Sequence, residues 1–169
     1  NGIPFLSVKD VSGGKIDFSS TKFISEEEHR VLCKRCRPEL GDILLTKIGT
    51  TGIAVTVDDS REFSIFVSLA LIKFSLTNLD CNYIKHLINS PFVRQQSAEN
   101  TQGIGNKNLV LRLINQFCVP IPPLAEQRRI VAKVDQLMAL VDQLEVQLTA
   151  SRAAAANFME AVVAELTIA

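Results

Sequence analysis

No stretch of this sequence reaches the roughly 20 consecutive apolar residues that cross a bilayer as a helix. The apolar runs Ile65 to Ile72 and Ala161 to Ala164 fall far short, and no basic-then-apolar leader opens the chain. A helical membrane span is excluded, and secretion has no signal. Histidine is scarce, with 2 residues, which leaves little room for a histidine-based mechanism. Cysteine is limited to 4 unevenly spaced residues, a pattern that fits reduced thiols better than a disulfide framework, so a cytoplasmic setting is expected. Charge of one sign is not in surplus either. Lys plus Arg (18) equal Asp plus Glu (18), which argues against a strongly basic nucleic-acid binder. The distribution qualifies this: residues 1–123 carry 14 basic and 12 acidic side chains, a net of +2, and residues 124–169 carry 4 and 6, a net of −2.

What is present is the profile of a globular protein. Hydrophobic residues make up 47% and charged residues 21% of 169, enough for one core plus an extension. The chain opens at Asn1 rather than Met, and it is treated as a fragment. Ile3 to Val11 reads as a strand, followed by turn chemistry at Ser12-Gly13-Gly14-Lys15. Ser25-Glu26-Glu27-Glu28 fits a capping box and predicts a short helix from about Glu26 to Cys33, ended by Pro38. Ile43 to Thr46, Ile53 to Val57 and Phe63 to Phe74 read as three neighbouring strands. Ile84, Leu87 and Ile88 recur at helical spacing, and Ser90-Pro91 starts a second helix. Asn100 to Asn108 reads as a loop and Phe117 to Ile121 as a short strand ended by Pro122-Pro123.

From Leu124 onward neither Gly nor Pro occurs, and good helix formers dominate. One long helix is expected to about Leu166. Ile130, Val134, Leu137, Val141, Leu144, Leu148, Ser151, Ala155, Phe158 and Val162 alternate by four and three, the seam of a left-handed coiled coil. Some 40 residues at 1.5 Å each make a rod of about 60 Å. Such a seam needs a partner helix, the alternative being packing along its own domain.

The chemical motifs are mostly negative. His29, Cys33 and Cys36, with Cys81 or His86, could in principle surround zinc, but a single Cys-x-x-Cys without a second matched pair leaves no metal assigned. Gly49-Thr50-Thr51-Gly52 lacks the ending of a P-loop, and Gly103-Ile104-Gly105 lacks the third glycine of a dinucleotide fingerprint. There is no Gly-x-Ser-x-Gly elbow and no His-Glu-x-x-His, so no catalytic residue is named. The loops do carry Lys47, Gln102, Asn106, Lys107 and Asn108, side chains suited to base edges and phosphates; ordinary solvated loops are the plain alternative. Arg30, Lys34, Arg35 and Arg37 form a basic cluster that Glu26 to Glu28 could neutralise.

Two segments resemble a known family. Gly41-Asp42-Ile43-Leu44-Leu45-Thr46-Lys47-Ile48-Gly49-Thr50-Thr51-Gly52 is similar to the Gly-Asp-Ile-Leu turn motif of the DNA-specificity subunit of type I restriction-modification systems. Pro120-Ile121-Pro122-Pro123-Leu124-Ala125-Glu126-Gln127-Arg128-Arg129-Ile130-Val131 resembles that family's junction between recognition domain and helix. Ile3 to Leu6, Val8 to Asp10 and the Gln102 to Leu109 loop are similar to it as well, so the likeness covers nearly the whole chain. The resemblance implies a subunit without catalysis of its own. It would read a split sequence in double-stranded DNA and dock modification subunits that methylate adenine and restriction subunits that translocate and cut. S-adenosylmethionine, ATP and magnesium would sit on those partners. No Asn-Pro-Pro-Tyr/Phe motif and no Asp with Glu-x-Lys occurs here. The implied fold is α/β: a mixed-sheet recognition domain over 1–123 and a long pairing or spacer helix over 124–169, joined to a second recognition half or a second copy of the chain. Thr46, Lys47, Thr50, Gln102, Asn106, Lys107, Asn108, Lys34 and Arg35 are the expected DNA-facing residues. The alternative is a coiled-coil adaptor that assembles proteins without reading DNA.

Overall fold

The computed structural model describes residues 2–74, 78–103 and 107–168, and within the last stretch the side chains through residue 160 and that of Val163. In chain order the elements are β1 (Ile3–Leu6), a 3₁₀ turn (Val8–Asp10), β2 (Lys22–Ile24), α1 (Glu26–Cys33), β3 (Ile43–Thr46) and β4 (Ala54–Thr56). Then come β5 (Ser64–Ile65), β6 (Leu69–Ile72), α2 (Cys81–Asn89), α3 (Pro91–Glu99), β7 (Thr101–Gln102), β8 (Asn108–Leu109), α4 (Leu111–Ile114) and α5 (Leu124–Ile168). The chain divides into two compact units, residues 1–128 and 129–169. The first unit therefore takes in the opening turn of α5.

The strands of the first unit form three small sheets. β1 pairs antiparallel with β2 and parallel with β5, which supplies the mixed pairing expected from the sequence. β3 lies between β4 and β6, antiparallel to both, and β7 pairs with β8. All four residues of β3 are buried, as a continuous apolar run in a central strand requires. The core gathers Leu6, Val11, Leu44, Val55, Val57, Phe63 and Leu69 from the first two sheets and their connections.

Side-chain amides close what the sheets leave open. β4 is an edge strand, and Asn89 at the end of α2 accepts from Ala54 N–H (3.0 Å) and donates to Ala54 C=O (2.8 Å), as a further strand would. Gln96 on α3 does the same for Cys118, both bonds being 2.9 Å. The Tyr83 hydroxyl donates to the Pro120 carbonyl at 2.9 Å. The most enclosed of these groups is Gln127, which is 0% exposed: it accepts from Asp80 N–H (2.9 Å) and donates to Asn78 C=O (3.0 Å) and Pro122 C=O (2.8 Å).

The self-contained local signals match the structure. α1 carries the capping box, Ser25 accepting from Glu28 N–H while Glu28 accepts from Ser25, and Pro91 opens α3. Four expectations need correction. Asn100 to Asn108 is not loop throughout, because Thr101–Gln102 and Asn108–Leu109 pair antiparallel as β7 and β8. Ile3 to Val11 is strand only to Leu6, because Ser7 and Asp10 cap a 3₁₀ turn, the Asp10 carboxylate accepting from Ser7 N–H at 2.7 Å. Phe63 to Phe74 is two strands, interrupted where Leu69 N–H folds back to Phe66 C=O. Phe117 to Ile121 joins no ladder; its polar groups at Cys118 and Pro120 are held by Gln96 and Tyr83 instead.

Candidate nucleic-acid interface

The Gly41–Gly52 segment is built as a strand between two turns. Gly41 takes φ +86°, and Asp42, nearly buried, accepts from Glu39 N–H (2.8 Å) and from Lys73 Nζ (2.7 Å). Asp42 thus fixes the entry to β3. At the far end Thr46 is 0% exposed, and its hydroxyl accepts from Ile53 N–H at 2.9 Å. Thr46, expected at the interface, is enclosed in the central strand, where its hydroxyl holds the turn shut.

Beyond Thr46 the chain turns through Gly49 (φ +80°) and Gly52 (φ +85°), a conformation that favours glycine. This turn is laced to the hairpin of β7 and β8. Leu109 N–H donates to Lys47 C=O (2.7 Å), Gly49 N–H to Lys107 C=O (2.9 Å), and Ile48 bridges Asn108. Thr51 and Thr101 share a hydroxyl contact at 3.1 Å. Lys47, Thr50, Gln102, Lys107 and Asn108, read from two loops some fifty positions apart, are thereby brought to one rim. Thr50, Gln102 and Lys107 are exposed and Lys47 and Asn108 half-buried. The Asn108 side-chain oxygen is enclosed and accepts no bond from a described group. Asn106 lies outside the described residues.

Lys34 and Arg35 are not brought to this rim by any described contact. Lys34 lines a separate cleft with Ile3, His29, Arg30, Cys33 and Arg37, where Arg30 pairs with Glu26 and Arg37 with Glu62. In that cleft His29 Nδ1 lies 2.9 Å from Ser64 Oγ, and its Nε2 lies 3.4 Å from Cys33 Sγ. Burial pushes the nearby Cys36 thiol up, opposite to what a reactive thiolate needs. Among the described residues no three His, Cys, Asp or Glu side chains gather as a metal site.

Sequence reasoning missed Arg94. It stands exposed on α3 and lines a cleft with Gly49, Thr50, Thr51, Ala98 and Lys107. A signal was available: Ser90, Pro91, Ser97 and Ala98 occupy its i±3 and i±4 positions, so no carboxylate on its own helix neutralises it.

In α5 the expected seam is laid open. Ile130 and Val134 are half-buried, whereas Leu137, Val141, Leu144, Leu148 and Phe158 are exposed, Leu144 at 63%. The Val162 side chain lies outside the described set.

A family model described as the type I restriction modification DNA specificity domain matches residues 1–151. The chain belongs to this family. Among curated relatives, it is 26% identical over 165 residues to the type I restriction enzyme EcoBI specificity subunit of Escherichia coli, covering 98% of this chain and 35% of that protein. It is 25% identical over 175 residues to the EcoKI specificity subunit of Escherichia coli strain K12, covering 97% and 36%. The chain thus spans about a third of the length of these relatives. Among solved structures, the HsdS subunit from Thermoanaerobacter tengcongensis superposes with a TM-score of 0.65 at 21% identity, over 85% of this chain and 37% of that one. The type I specificity fold, short-helix mixed sheets followed by a long helix, is shared. Among the described residues no helix is long and apolar enough to cross a membrane.

Proposed function

We propose that this chain is one recognition half of a type I specificity subunit: it reads one part of a split sequence in double-stranded DNA and does no chemistry itself. The observation that carries the reading is the lacing of the Lys47–Gly52 turn to the β7–β8 hairpin, which sets Lys47, Thr50, Gln102 and Lys107 on one rim of a family member. Gln102 suits a base edge, with adenine its natural bidentate partner, while the lysines suit phosphates. Methylation of adenine with S-adenosylmethionine, and ATP- and magnesium-dependent restriction, belong in this reading to modification and restriction subunits docked on the chain. The open seam of α5 supports pairing with a second recognition half or a second copy of the chain.

Selection of bound duplexes from a random pool, with the chain reconstituted alongside its modification subunits, tests the reading. A single enriched sequence is expected, and alanine at Lys47, Gln102 and Lys107 together should erase the enrichment. Complex formation without any enrichment would favour the coiled-coil adaptor. Methyl transfer by the rigorously purified chain alone would overturn the assignment of catalysis to partners.

A further inference from the structure

The cleft between the Gly49–Gly52 turn and α3 is not explained by base reading. It encloses about 410 Å³ and is lined by Gly49, Thr50, Thr51, Arg94, Ala98 and Lys107. We propose that it seats one phosphodiester of the DNA backbone, with Arg94 as the principal cation; the proposal rests on the DNA-reading role above.

The sign of the lining comes first. Arg30, Arg37, Arg61 and Lys73 are each paired with carboxylates elsewhere on the first unit. Arg94 and Lys107 have no carboxylate partner among the described residues, and no acidic side chain lines the cleft between them. The donor balance comes second. The Thr50 and Thr51 main-chain N–H groups donate to no described group, and beside them stand a guanidinium and an ammonium. Base edges present donors and acceptors together, whereas a phosphodiester presents acceptors alone, so a lining this rich in donors matches the backbone. Consecutive main-chain N–H groups in a tight turn form concavities of the kind that bind anions.

Rigidity comes third. A Cβ on Gly52 would lie 3.1 Å from Ser97 Cβ, so the turn is pressed against α3 one helical turn from Arg94. The Thr101 hydroxyl donates to Ser97 C=O at 2.6 Å and meets Thr51 at 3.1 Å, fastening the same turn from the other side. Arg94 and Ala98 are four residues apart on one face of α3, so a small side chain flanks the guanidinium and leaves the cleft open. The planar fork of Arg94 then grips two oxygens, and Lys107 adds a point charge from the other wall. Such a contact fixes the register of the rim on the duplex without reading sequence.

The test uses the full chain in the reconstituted complex, with duplexes carrying the selected sequence and a scrambled one, over a range of salt. Arg94→Ala is expected to weaken both duplexes alike, by about five- to tenfold, and to reduce the slope of log affinity against log salt by about 0.9. Arg94→Lys should fall between. Neutral methylphosphonates placed one at a time should reveal one position that weakens the wild type and leaves Arg94→Ala indifferent. Arg94 is exposed, so unchanged thermal unfolding of the variant is expected. Unchanged affinity and slope in Arg94→Ala, while the complex still binds duplex, overturn the seat alone. Loss of discrimination at one base pair with an unchanged slope makes Arg94 a base reader and also overturns it. Amide shifts of Thr50 and Thr51 with millimolar inorganic phosphate, combined with DNA binding indifferent to Arg94, would assign the cleft to a free anion. A complex that binds no duplex overturns the DNA-reading role and the seat with it.

Discussion

The hydroxyl oxygens of Thr51 and Thr101 lie 3.1 Å apart, and the proton in that bond belongs to Thr51, because the Thr101 hydroxyl donates its own to Ser97 C=O at 2.6 Å. A relay of three residues therefore ties the turn after β3 to the end of α3 and to β7. Thr101→Val should break both bonds at a cost of about 1–2 kcal/mol, and Thr51→Val only one, at about 0.5–1.5 kcal/mol. Urea unfolding measures the cost. Duplex affinity should fall in the same order for every sequence, since the relay positions the rim and touches no base.

Gln127 is a costly polar side chain to truncate, being 0% exposed and bonded to three main-chain groups. Gln127→Ala would take the enclosed amide from Asp80 N–H, Asn78 C=O and Pro122 C=O, which are only partly shielded from water, at about 1–3 kcal/mol by denaturant unfolding. Gln127→Glu should be worse at neutral pH, because it sets a carboxylate against two carbonyl oxygens in place of an NH₂ group.

Lys73 bonds Glu39 and Asp42, each at 2.7 Å, beneath the entry to β3. Burial draws the Lys73 ammonium down, but its bonds to Asp42 and Glu39 outweigh that, so its pKa lies above the usual lysine value. The Lys73 hydrogen bond, aided by its charge, holds the Glu39 carboxyl below the usual glutamate value. The signs follow from linkage. The Glu39 contribution is present above the unfolded carboxylate pKa and is lost as pH falls through the lower folded value. The Lys73 contribution is complete below the unfolded amine pKa and is lost as pH rises through the higher folded value. Lys73→Met should therefore flatten both the acid and the alkaline limb of stability against pH, measured as the urea midpoint from pH 2 to 11.

How much of this was legible in the sequence depended on the range of the interactions. The Ser25–Glu28 capping box and the start of α3 at Pro91 involve residues within one turn, and α5 announces itself by forty-odd positions free of Gly and Pro. The enclosure of Thr46 was not legible because β3 is covered on both faces, so its strand has no outward parity to read. The break at Phe66 depends on a fold-back that no apolar pattern encodes. Gln127 was seen as part of a motif, yet its reason lies 47 and 49 positions away at Asp80 and Asn78. Local spacing signals that Arg94 is unneutralised on its own helix, but not the tertiary approach of Gly52 to Ser97 that sets the turn beside it.

The seam of α5 makes the last prediction. Leu137, Val141, Leu144 and Leu148 are between 44% and 63% exposed, a run of apolar surface that water penalises and a second helix would cover. Val141→Asp with Leu144→Asp should convert a self-associating chain into a monomer by sedimentation, and both residues lie in the second unit, so the unfolding midpoint of residues 1–128 should stay unchanged. A chain that is monomeric before the substitution would count against pairing of two copies. The geometry then bears on the DNA. At 1.5 Å per residue the 45 residues of α5 run about 68 Å, so the helix sets an upper limit on the gap between two recognition halves. Inserting one heptad between Leu144 and Leu148 adds about 10 Å of helix and keeps the seam in register. At about 3.4 Å per base pair the two halves of the selected site should move apart by about three base pairs. Two copies of this chain should select inverted identical halves, since a twofold axis relates them. Pairing with a different recognition half should select two unlike ones. An insertion that leaves the spacing of the selected site unchanged would show that α5 does not set the distance.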